Sequence, residues 1–136
     1  MNNKGFTLIE VMLVLALIGV VSLIVIPKLD ADFGYLDSYS KDLLYDIRFV
    51  REETMRGKNG YKIKLEADSY KVLIDDIEQH ERDLKDKYEI IYTGDNISFI
   101  ADGILKEGAQ TITIRKKDLS EQVQIVVNML GNSYIE

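Results

Sequence analysis

Residues 6–26 read FTLIEVMLVLALIGVVSLIVI, an apolar run that only Thr7, Glu10, Gly19 and Ser22 interrupt, and only Glu10 among these is charged. As a helix rising about 1.5 Å per residue the run is about 31 Å long, which matches the hydrocarbon core of a bilayer. Lys4 before it and Lys28 after it are placed to reach headgroups. A cleaved secretory signal fits poorly. Such a signal has an apolar core of about 7–15 residues and a small-x-small exit, whereas this run is longer and leaves through Ser22-Leu23-Ile24-Val25-Ile26-Pro27. A plain membrane anchor explains the length but not Glu10. An acidic side chain at membrane depth costs roughly 2.5–3.5 kcal/mol and marks a functional position by default.

Cutting the chain after Gly5 gives Glu10 a role. Phe6 then supplies a free α-amine at the start of a helix, and Glu10 lies one turn downstream, where the helix dipole favours a carboxylate. In an assembly of axially staggered subunits that carboxylate meets the α-amine of a neighbour, and a buried pair of this kind encodes stagger as much as stability. The stretch Lys4-Gly5-Phe6-Thr7-Leu8-Ile9-Glu10 ahead of the apolar run resembles the class III signal of type IV pilins and pseudopilins. The resemblance implies a leader over residues 1–5, removed by a prepilin peptidase between Gly5 and Phe6, and N-methylation of Phe6. It makes Glu10 the register residue of assembly. Pro27 falls where family members often carry a helix-loosening proline.

Beyond Pro27 the period is helical. Leu36, Ser40, Leu43, Ile47, Val50 and Thr54 recur every three or four residues, with Phe33, Leu44 and Met55 widening the stripe and charged residues on the other faces. Gly57 and Asn59-Gly60 stop the pattern. The sequence therefore predicts one long helix over residues 6–56, loosened at Pro27 and Gly34. From Tyr61 the period is two. Strands are expected at 61–65, 70–74, 88–93, 97–100, 110–115, 122–127 and 134–135, and the charged stretch 75–87, DDIEQHERDLKDK, reads as a solvated loop or short helix. The expected fold class is α+β. A long N-terminal helix, half transmembrane and half amphipathic, packs on antiparallel β-sheets in a pilin-like arrangement. Its parts are a leader at 1–5, a transmembrane helix at 6–27, an amphipathic continuation at 28–57 and a β-rich globular part at 58–136.

The chain holds 17 basic and 23 acidic side chains, no Cys and one His. A formal net charge of −6 argues against bulk nucleic-acid binding, and the lack of Cys removes disulfide scaffolds and thiolate metal sites. His80 sits in a charged stretch with nothing beside it in sequence to complete a catalytic set. Asp75, Asp76, Glu78 and Glu81 lack the spacing of a calcium loop, and Arg115-Lys116-Lys117 is the one basic cluster. No catalytic, cofactor or metal residues are assigned. The second half also resembles minor pseudopilins of the GspH/FimT type, through Asp46-Ile47-Arg48-Phe49-Val50-Arg51, the segment 97–103 (ISFIADG) and the segment 125–131 (IVVNMLG). What the resemblance implies is a non-enzymatic filament subunit of a type IV pilus or a type II secretion-like machine. Its implied partners are sister pilins or pseudopilins, the prepilin peptidase, a platform protein with its ATPase, and the bacterial cytoplasmic membrane, with the C-terminal part outside the cytoplasm. The alternative is a DNA-binding minor pilin of a natural-competence uptake system.

Overall fold

The computed structural model describes residues 8–25, 34–94 and 96–136, with the side chains of its first helix from Leu8 to Val20. The chain divides into two compact units, residues 1–33 and 34–136. In the first unit the apolar run forms α1 (Leu8–Val25). In the second, α2 (Tyr35–Met55) is followed by eight strands. Gly34 stands at the N-cap of α2 with φ 92 and ψ −8, a left-handed backbone that glycine adopts without steric cost. The helix expected to run through residue 34 is thus interrupted there, and α2 starts afresh with Gly34 O accepting from Ser38 N.

The strands are β1 (Tyr61–Leu65), β2 (Ser69–Ile74), β3 (Ile77–Asp83), β4 (Tyr88–Tyr92), β5 (Asn96–Ser98), β6 (Gln110–Lys116), β7 (Gln122–Val127) and β8 (Ser133–Ile135). They form two antiparallel sheets, ordered β3-β2-β1-β5 and β4-β6-β7-β8. The stripe residues Leu36, Ser40, Leu43, Ile47, Val50 and Thr54 are buried, and Leu44 is partly buried against the core. The stripe's two hydroxyls satisfy themselves within the helix, Ser40 Oγ donating to Leu36 O and Thr54 Oγ1 to Val50 O. Leu43, Ile47 and Val50 are fully buried together with Ile63 and Ile97 of one sheet and Ile112, Ile114, Ile125 and Val127 of the other, so α2 shares a single core with both sheets. Met55, expected to widen the stripe, is instead half exposed.

Most of the charged stretch 75–87 is a strand rather than a loop, with residues 75–76 and 84–87 outside it. Asp75 and Asp76 take left-handed backbones, φ 51 and 65, and form a two-residue turn from β2 into β3. Two consecutive positive-φ residues suit the right-handed twist of a hairpin. β3 pairs along β2 from Ile74↔Ile77 to Ser69↔Asp83, with an irregularity between Val72 and Leu73. It is the outer strand of its sheet and only Arg82 along it is less than exposed, so no apolar alternation marks it in the sequence. Its charges blunt an edge that would otherwise pair with other chains.

Candidate functional site

Among the sequence-derived site residues, Gly5, Phe6 and Pro27 lie outside the described residues, as does Asp95. Glu10 is described, in the first turn of α1. Around it the helix is apolar on every face, with Leu8 79%, Ile9 74%, Met12 63%, Leu13 68% and Leu17 63% accessible. A helix of this kind has no polar side to leave in water and needs an apolar environment along its whole circumference. Among the described residues no helix is long and apolar enough to cross a membrane. The apolar run of the sequence continues past both ends of α1.

In the second unit three sequence segments converge. Arg48 and Arg51, three apart on α2, reach the segments that follow β5 and β7 and the start of β8. Arg51 Nε donates to Gly103 O at 3.0 Å, Nη2 to Leu130 O at 2.9 Å and Nη1 to Asn132 Oδ1 at 3.4 Å, while Arg48 Nη2 donates to Ser133 O at 2.9 Å. The fork of a guanidinium suits this task, because several fixed donors reach acceptors on separate turns at once. Gly103 and Gly131 carry φ 73 and 78. A Cβ on Gly131 would lie 2.0 Å from Gly103 O, and one on Gly103 would lie 2.7 Å from Met55 Sδ. The 46–51, 97–103 and 125–131 segments therefore meet in one clamp that ties α2 to two turns. The three segments stand far apart in the sequence, and nothing local in it says that they touch. The signal was two arginines on one helix face and two late glycines, but their pairing is tertiary.

Three of the four acids considered for calcium are engaged by lysines: Asp76 by Lys62, and Glu78 and Glu81 by Lys71 at 3.2 and 2.8 Å. Among the described residues no group of three or more His, Cys, Asp or Glu is arranged to hold a metal. In the basic cluster Arg115 pairs with Glu89 at 2.7 Å and Lys116 with Glu121 at 3.2 Å, which neutralises two of its three cations. Buried Glu53 lies between Arg56 and Lys58, and the Lys58 hydrogen bond holds its carboxyl below the ordinary glutamate range. Asp46 accepts from the Tyr70 hydroxyl at 2.8 Å. Burial nevertheless keeps its carboxyl above the ordinary range, and burial also pushes the Tyr70 phenol up.

Residues 1–26 match the family model of the prokaryotic N-terminal methylation motif. No curated protein sequence matches the chain. Among solved structures, the type IV minor pilin FimU of Pseudomonas aeruginosa matches at 13% identity with a TM-score of 0.63, over 74% of this chain and 92% of that one. A second crystal form of the same protein matches at 14% identity with the same TM-score. The fold is pilin-like. The minor pseudopilin EpsH from the type 2 secretion system of Vibrio cholerae matches at 14% identity with a TM-score of 0.57, over 74% of this chain and 95% of that one. At these identities the likeness is one of fold. Helix and antiparallel sheets thus form the α+β, pilin-like arrangement expected from the sequence, in a chain whose residues 1–26 match the methylation motif.

Proposed function

We propose that the chain is a minor subunit of a pilus or pseudopilus filament, of the GspH/FimT type. It is made as a prepilin, held by residues 6–27 as a single transmembrane pass in the cytoplasmic membrane with the β-rich unit outside, then extracted into the filament. The observation that carries this reading is α1: apolar on every face, with one carboxylate in its first turn, behind a sequence that matches the methylation motif. An all-round apolar helix is suited by two environments in turn, lipid before assembly and a bundle of like helices afterwards. In this reading a prepilin peptidase cuts between Gly5 and Phe6 and Phe6 is N-methylated. Glu10 then pairs with the Phe6 amine of an adjacent subunit and fixes the axial step, and Pro27 lets the helix bend into its neighbours. The platform protein and its ATPase supply the work of extraction. Cross-linking to sister prepilins tests the reading, with wild type and Glu10→Ala compared at matched membrane levels. Glu10→Ala should insert and be processed normally yet lose cross-links. Equal cross-linking in both would remove Glu10 from assembly.

A further inference from the structure

On α2, Asp42, Tyr45 and Asp46 fall within one turn and face β2 and β3. On β3, His80 and Arg82 are two apart and so share one side of the strand. With Tyr70 of β2 they line an open cleft of about 230 Å³. Its polar groups come as donor–acceptor pairs, Tyr70 Oη donating to Asp46 Oδ2 at 2.8 Å and Arg82 Nη2 to Asp42 Oδ2 at 2.9 Å. The Arg82 guanidinium lies 5.5 Å from the centre of the Tyr39 ring, and its Nε is buried with no acceptor among the described residues. Tyr45 stands at the rim with 70% of its surface accessible, leaving an aromatic face open beside this array.

The charges select the ligand class. Two carboxylates repel an anion, while the guanidinium opposes a metal ion that would find only those two carboxylates. A neutral polyol suits both kinds of group, since each hydroxyl donates and accepts. The exposed tyrosine adds an apolar platform with a polar tip, suited to the C–H face of a sugar ring. The volume lies below the roughly 300–1,000 Å³ of drug-sized sites, which fits one ring of a longer chain rather than an enclosed small molecule. We infer that this cleft binds a pyranose unit of a glycan. The inference does not depend on filament assembly.

The test is a glycan array probed with the full chain in a detergent without a sugar headgroup, such as lauryldimethylamine oxide. Wild type should retain a defined set of glycans. Tyr45→Ala should weaken that binding by about tenfold or more, with an unchanged melting temperature because the side chain is exposed, and Tyr45→Phe should retain it. His80→Ala should weaken it too, whereas Phe49→Ala, on α2 but outside the cleft and against Tyr61, should not. Retention of no glycan by wild type would overturn the inference, as would an unchanged glycan set on Tyr45→Ala.

Discussion

Arg51 is the residue on which the second unit's two late turns depend, since its guanidinium reaches Gly103, Leu130 and Asn132 at once. Arg51→Lys keeps the charge but not the fork, and should lower unfolding free energy by about 2 kcal/mol in urea titrations, as hydrogen bonds from charged donors are lost. Gly131→Ala should cost about as much, because its backbone is left-handed and the new Cβ meets Gly103 O. Two carboxyls give opposite pH signatures. Asp46, raised by burial and faced by Tyr70, His80, Asp42 and Arg82, contributes most favourably when protonated, and that contribution is lost as pH rises through its elevated value. Asp46→Asn should therefore gain stability on wild type as pH climbs from about 3 to 7. Glu53, lowered by Lys58, contributes above the ordinary glutamate range and loses that contribution as pH falls through its depressed value. Glu53→Gln should be less stable than wild type at neutral pH, with the difference fading in acid. Glu53 meets local partners, Arg56 and Lys58, whereas the partners of Arg51 and Asp46 were not legible in the sequence. Arg51 to Leu130 and Asp46 to Tyr70 are contacts between distant segments, and no local period encodes them.

At the scale of elements, legibility followed burial. The stripe from Leu36 to Thr54 was readable because α2 buries one face against two sheets, and β1, β2, β6 and β7 were readable because each turns an alternate set of residues into the same core. β3 was not, because an edge strand exposed on both faces carries no apolar alternation, and Asp75-Asp76 resembles a loop until its backbone is known to be left-handed. The loosening expected at Gly34 is a full break there, while residues 26–33, with the expected loosening at Pro27, lie outside the described residues. Apolar periodicity marks α2, while its start is set by the left-handed backbone of Gly34. Ile47→Asp places an unpaired charge where α2 meets both sheets, and should cost roughly 4 kcal/mol or more, a large share of the stability of an ordinary domain. A thermal melt that barely moved would contradict the packing of α2 described above.

For the whole molecule, two units with different demands share one chain. The second has its own core and buries its apolar stripe, whereas the first presents apolar side chains on every face of α1. The pilin-like fold was legible because hydropathy, glycine, phenylalanine and acid fall in register at the N-terminus and a helix-then-strands order follows. The central claim is that the first unit is a processed assembly helix, and its most direct test is intact-mass spectrometry of the protein extracted from membranes of a host that carries a prepilin peptidase. The account predicts a chain that lacks Met1 to Gly5, begins at Phe6 and carries one added methyl group. A mature chain that still begins at Met1 would contradict it.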